Sequence, residues 1–170
     1  MEGRDGKNRR LDRRAVSLRN AVVDSSVLIG LEHIGHVDLL RLLFEQVTVP
    51  AAVRDEVAPP TVMPEWIRIA PLESPVPDRI SRAKLGPGES ACIALVMETD
   101  AAWLLLDDLA ARRFAESLGL PVMGELGILR TAKKLGHIDA LAPLASALRE
   151  HGFRLSTRLL RVVLEEVGER

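Results

Sequence analysis

Trp103-Leu104-Leu105-Leu106-Asp107-Asp108 (WLLLDD, residues 103–108) is the most apolar short run of the chain, and it stops abruptly at two adjacent carboxylates. A brief, wholly apolar run bounded by polar residues suits a strand covered on both faces, as in a parallel sheet. A helix cap after such a strand needs one acid, so two in succession ask for a further reason. The same pattern occurs upstream, where Ala21-Val22-Val23, rich in β-branched residues, ends at Asp24.

Outward from these two runs the chain alternates strands with helices. Residues 25–44 read as a helix, a turn near Gly35 and a second helix with Val37, Leu40, Leu43 and Phe44 at helical spacing. Gln46 to Val49 (QVTV) is a second strand, and Ala51 to Val57 resumes as helix after Pro50. The proline-punctuated middle carries one alternating segment, Trp66 to Ile69, with the character of an edge strand. Gly86-Pro87-Gly88 reads as a turn, and Glu89 opens a helix to Met97. After the aspartate pair come a helix from Leu109 to Leu118 capped by Gly119, a last strand over Pro121-Val122-Met123, and amphipathic helices near 125–135, 139–150 and 156–167. Strands separated by helices predict βαβ units and an α/β fold with helices on both faces of a parallel sheet.

With 170 residues, 47% of them hydrophobic, the chain can bury one good core, so residues 20–170 are expected to form a single domain. The net charge of −1 excludes a polycation built to coat nucleic acid, but the charge is uneven: residues 1–20 hold seven Lys/Arg against three acids. Residues 1–19 are therefore expected to be a basic, disordered tail, either simply solvated or touching RNA. No apolar stretch resembles a signal peptide or a spanning helix, and the single Cys92 has no cysteine partner; a cytoplasmic protein without membrane contact is the expectation. His33, His36, His137 and His151 match no zinc spacing, and Cys92 sits among small apolar residues that suit packing. Aromatic residues make up only 3%, with no Tyr, which argues against a dedicated base-stacking surface.

The acids carry the functional reading. In an open α/β sheet the carboxyl ends of the strands share one edge, and ligands bind in the crevice there. Asp24 and Asp107-Asp108 end strands, Glu89 stands at a helix start after a glycine turn, and Glu56 lies on the helix after the second strand. Several carboxylates together would repel one another unless a hard cation such as Mg²⁺ or Mn²⁺ joined them. Ligands of one or two shared ions are expected within roughly 3–6 Å of each other. Each acid also has a plainer use: Asp24 as a helix cap, Glu89 as a favourable first-turn charge, Glu56 as a surface acid. Arg112 and Arg113, one turn after the aspartate pair, and Arg130, Lys133 and Lys134 on a second basic face could hold phosphates, or could be ordinary solvated cations.

The segments VVDSSVLIGL (22–31), VPAAVRDEV (49–57), GPGESACIAL (86–95) and LLLDDLAARRFAESLGLPVMGELGIL (104–129) together resemble the PIN-domain superfamily. The resemblance is to its branch of predicted nucleic-acid-binding proteins related to VapC-type toxin ribonucleases. It covers residues 20–160 and implies a three-layer α/β/α fold with a central, mostly parallel sheet. It also implies a Mg²⁺- or Mn²⁺-dependent ribonuclease selective for single strands, in many relatives neutralised by an antitoxin. By matching position Asp24 would be the first metal ligand, with the Ser26 hydroxyl near the metal water. Glu56 would be the second acid, Glu89 the third, and Asp108 the strand-end acid with Asp107 in support.

Two departures stand out: Arg54 and Asp55 flank Glu56, and Glu125 replaces the Thr that relatives often carry in a Gly-Thr-Leu-Gly turn. Glu125 is either an extra acid near the site or a favourable first-turn charge, the second reading being preferred. Leu141, Leu144, Leu148, Leu159, Leu160, Val163 and Val167 suggest apolar helix faces suited to a homodimer or an antitoxin groove. A haloacid-dehalogenase-like phosphatase would need a second Asp where Ser26 stands, and a receiver domain would order its acids the other way. A PIN-like scaffold that binds RNA or protein without catalysis remains the alternative.

Overall fold

A computed structural model describes residues 18–57, 61–99 and 101–169. Its centre is a five-stranded, wholly parallel sheet in the order β3-β2-β1-β4-β5, from β1 (Ala21–Val23), β2 (Val47–Pro50), β3 (Arg68–Ala70), β4 (Trp103–Leu105) and β5 (Val122–Met123). The helices are α1 (Ser25–His33), α2 (Leu39–Leu43), α3 (Ala51–Glu56), α4 (Asp78–Ser81), α5 (Pro87–Glu98), α6 (Leu109–Ser117), α7 (Glu125–Lys134), α8 (Ala142–Glu150) and α9 (Thr157–Glu166). They flank the sheet on both sides, giving the three-layer α/β/α arrangement. The chain builds outward from β1 to β2 and β3, then crosses back to lay β4 on the other side of β1 and continues to β5. Connections leaving β1 and β4 in opposite directions open a crevice between their carboxyl ends.

The apolar runs read from the sequence are the interior. Leu104, Leu105, Leu106, Val23, Val27 and Leu31 are fully buried, each such side chain stabilising the fold by about 1.5–3 kcal/mol. In α5 every residue from Ala91 to Val96 is buried, so this helix is enclosed all round.

Four local features differ from the sequence reading. Helix α5 begins at Pro87, not Glu89, because proline lacks the N–H that a first helical residue leaves unused, and Gly86 takes the cap. Helix α4 lies where only loop is expected; four residues are too few for a periodic signal, although Ile80 anchors it in the core. The surplus of apolar surface expected on the last helices is mostly consumed internally. Leu141, Leu148 and Val163 are buried, and Leu159 and Val162 are left exposed. Residue Leu18, assigned to the tail, already pairs with the chain at Phe44, its N–H donating to the Leu43 carbonyl (2.6 Å). Residues 1–17 of the basic tail lie outside the described residues.

The carboxylate of Glu169 closes the C-terminal region. It accepts from the Leu141 N–H (2.8 and 3.0 Å) and the Ala142 N–H (2.8 Å) at the start of α8, and it pairs with Lys133 Nζ at 3.2 Å. Glu169→Ala leaves those amides without acceptors and is expected to cost about 1–2 kcal/mol, read as a lower urea midpoint. An unchanged midpoint would show that the latch carries no net stability.

Candidate active site

Asp24 directly follows β1, and its own N–H donates to the Leu105 carbonyl of β4 (3.0 Å). It caps α1 with an extended backbone, and its Oδ2 accepts from the Ser26 hydroxyl (2.9 Å) and, at longer range, the Ser26 N–H (3.4 Å). Its side chain is almost fully buried, and Oδ1 has no hydrogen-bond partner. Burial raises its pKa and the charge of Glu56 adds to this, against the donors of Ser25 and Ser26.

Glu56, the last residue of α3, ties three elements together. It accepts from the Ser25 hydroxyl of α1 (2.8 Å) and the Gly88 N–H of α5 (2.7 Å). A Cβ at position 88 would lie 2.7 Å from Glu56 Oε1, so a larger residue there would displace the Glu56 carboxylate from this seat. Glu89, two positions inside α5, folds back to accept from the Gly86 N–H (2.5 Å). Burial raises its pKa, the Gly86 N–H opposes the rise, and the charges of Asp24, Asp108 and Glu56 reinforce it. Acids from three other elements therefore act on this one carboxyl group.

Beyond β4, Asp108 caps α6, accepting from the Ala111 N–H at 2.9 Å, while its carboxylate stays exposed. Asp107 is half-buried; burial raises its pKa, the Arg112 guanidinium and the Glu125 N–H lower it, and Asp108 raises it further. Asp107 and Arg112 both lie over the bare backbone of Gly124, where a Cβ would stand 3.2 Å from Asp107 Oδ1 and 2.9 Å from Arg112 Nη1.

The acids thus share one rim, but their carboxylates are not within bonding reach of a common ion. Among the described residues no three acidic, histidine or cysteine side chains converge closely enough to hold one as they stand. Their hydrogen bonds give a local reason. Each carboxylate instead accepts from a nearby neutral donor: Ser26 for Asp24, Ser25 and Gly88 for Glu56, Gly86 for Glu89, Ala111 for Asp108. Like charges without a cation gain more from N–H and O–H donors than from approaching one another.

Glu125 departs most from the sequence reading. It occupies the first turn of α7 but is no solvated first-turn acid: it is fully buried and neither carboxylate oxygen has a partner. Its carboxyl group lies against α1, where a Cβ on Gly30 would overlap Oε1. Burial, and secondarily the charge of Asp107, push its pKa up to about 8. Cys92, also fully buried, donates its thiol to the Val23 carbonyl (3.5 Å), and burial raises its pKa well above the ordinary thiol value, so it packs as the sequence suggests.

A cleft of about 1040 Å³ opens beside the rim, bounded at one end by Ser26, Glu89, Asp107 and Asp108. Asp24 and Glu56 do not line it, although Ser26, which donates to Asp24, does. Arg112 and Arg113 line the cleft, as does Arg130, which is paired with Glu166 at 3.2 Å. Lys133 and Lys134 do not line it; they pair with Glu169 (3.2 Å) and Glu166 (3.5 Å). A smaller cavity of about 290 Å³, reaching Asn20, Gln46 and Arg68, holds none of the strand-end acids.

A family model described as a PIN domain matches residues 20–169, which span the sheet and the nine helices seen among the described residues. The chain belongs to the PIN-domain family. No curated protein and no solved structure matches it closely enough to count as a relative. PIN domains are generally nucleases and typically use divalent metal ions. The donors of this PIN domain fit such an ion in kind, being carboxylate oxygens, the chemistry that Mg²⁺ and Mn²⁺ prefer. The buried, unpartnered Oδ1 of Asp24 is an acceptor that the fold itself leaves unused. Among the described residues no helix is long and apolar enough to cross a membrane.

Glu125 gives this PIN domain a measurable pH signature. Its unfolded value is near 4.5 and its folded value about 8, so the folded state keeps a proton that the unfolded chain releases. Stability from this group is therefore fully present below about 4.5 and is lost as the pH rises toward 8. In thermal melts with EDTA, Glu125→Gln should gain on the wild type steadily from pH 5 to pH 8.5. A difference in Tm that does not change with pH would contradict the burial argument.

Proposed function

We propose that this PIN domain is a divalent-metal-dependent endoribonuclease that cleaves single-stranded RNA in the cytoplasm, as the toxin of a toxin–antitoxin pair. The observation that supports this reading is that Asp24, Glu56 and Asp108, on three different elements, all lie close enough to Glu89 for their charges to act on it. Asp24, Glu89 and Asp108 would hold Mg²⁺ or Mn²⁺, with Glu56 and Asp107 in support. Bound there, such an ion positions and acidifies a water and neutralises charge developing on the phosphodiester.

The chain's own residues supply the rest. Ser26 holds Asp24 Oδ2, which leaves Oδ1 as the free acceptor. Ser25 and Gly88 fix Glu56 and so set the distance between α1 and α5. Arg112 and Arg113 present guanidinium groups beside the acids, where a polyanion must lie if its phosphodiester is to reach the rim. Without a cation the acids would oppose that phosphate, so bound metal is expected to tighten a contact that the cleft cations already support on their own. An antitoxin would block the same cleft, and the exposed Leu159 and Val162 of α9 suit a homodimer contact.

One observation favours a second reading, a weak or inactive RNA-binding PIN scaffold: the carboxylates already accept from neutral donors. The two are separated by incubating labelled single-stranded RNA with the purified protein. Cleavage should require Mn²⁺ or Mg²⁺, stop with EDTA, and fall roughly a hundredfold or more in Asp24→Asn. Cleavage that survives EDTA or that substitution would contradict the mechanism, and RNA binding without cleavage would favour the scaffold.

A further inference from the structure

The acids occupy one end of the cleft, and a strand whose phosphodiester reaches them must continue along the remainder. That remainder is walled by α6, by α7 and by the segment joining α8 to α9. Its cations differ in availability. Arg130 is paired with Glu166, Arg112 is drawn toward Asp107, and Glu116 adds a negative charge on α6. Among the described residues Arg113 and Arg154 line the cleft and make no hydrogen bond or ion pair.

Arg154 is exposed, yet the backbone that carries it is braced on both sides. Gly152, at φ +89°, ends α8, and the Phe153 N–H donates back to the Leu148 carbonyl (3.0 Å). The Phe153 ring packs edge-on to His33, with centroids 6.1 Å apart. On the other side Arg149 donates to the Leu155 carbonyl (3.0 Å) and to Thr157 Oγ1 (3.1 Å), and Ser156 Oγ accepts from the Leu159 N–H (3.3 Å). A cation on a pre-ordered loop loses little backbone entropy on binding, which is the condition for a phosphate contact that orients as well as attracts.

We propose that Arg154 is a substrate-positioning residue that, with Arg113 from α6, holds the phosphate backbone of the single strand where it leaves the acidic rim. This rests on the ribonuclease reading for the identity of the strand. Two unpaired guanidinium groups in one lining favour a polyanion over the apolar protein segment that Leu109 and Leu159, also in the lining, would otherwise admit.

The test is binding of a fluorescent single-stranded RNA by anisotropy in EDTA across a salt series, with steady-state cleavage in Mn²⁺ alongside. Arg154→Ala should weaken binding about five- to tenfold and reduce the slope of log K against log salt by about 0.7, one phosphate contact on a single strand. Arg154→Lys should recover most of the slope, and Lys134→Ala, a cation outside the cleft, should change neither. In cleavage Arg154→Ala should raise KM and leave kcat within about twofold.

An unchanged slope and affinity in Arg154→Ala would overturn the proposal, as would a wild type that binds no RNA at low salt. RNA binding that depends on Arg154 without cleavage would support this inference while removing the nuclease reading. Cleavage that is indifferent to Arg154 would do the reverse.

Discussion

The Asp24 N–H donating to the Leu105 carbonyl is the last rung of the ladder joining β1 to β4, which runs in register from Ala21 opposite Trp103 to Val23 opposite Leu105. Because β1 and β4 are parallel, both end at the same edge. Because the chain leaves them in opposite directions, their ends are not covered by one crossover. Asp24 and the Asp107-Asp108 pair, nearly the length of the central chain apart in sequence, become neighbours through this pairing alone. A register slip of one residue would turn the aspartates to the other side of the sheet.

Gathering charge at that edge costs stability, and the structure shows how the cost is held down. Asp24 and Asp108 each cap a helix, so their carboxylates answer amides that would otherwise lack acceptors. Glu56 and Glu89 take N–H groups from the first turn of α5. What remains unanswered is Asp24 Oδ1 and both oxygens of Glu125. Burial pushes both the Glu125 and the Asp24 carboxyl toward the neutral form, and at Asp24 the donors of Ser25 and Ser26 oppose that push. The apo-protein is thus under electrostatic load at the place where a divalent cation would relieve it.

Much of this was legible in the chain because it is local. Apolar runs ending in acids marked β1 and β4, and a glycine before an acid marked the start of α5 within two residues. What could not be read depends on contacts between distant segments. The tie from Ser25 and Gly88 to Glu56 joins residues more than thirty positions apart, so the hydroxyl beside Glu56 is that of Ser25, while Ser26 serves Asp24. Glu125 looks like an ordinary first-turn acid until α1 lays Gly30 against it. Lys133 and Lys134 read as free cations until the end of the chain brings Glu166 and Glu169 beside them. Arg154 gave no signal at all, because a lone arginine in a loop acquires meaning only from the cleft it lines.

The central claim is that acids from separate elements jointly bind a divalent ion at the β1–β4 crevice. Calorimetric titration of Mn²⁺ into the folded protein tests it most directly, with Asp24→Asn titrated under the same conditions. The account predicts saturable uptake by the wild type and its loss or severe weakening in the variant, with both proteins equally folded by circular dichroism. No uptake by the folded wild type, or uptake untouched by Asp24→Asn, would contradict it.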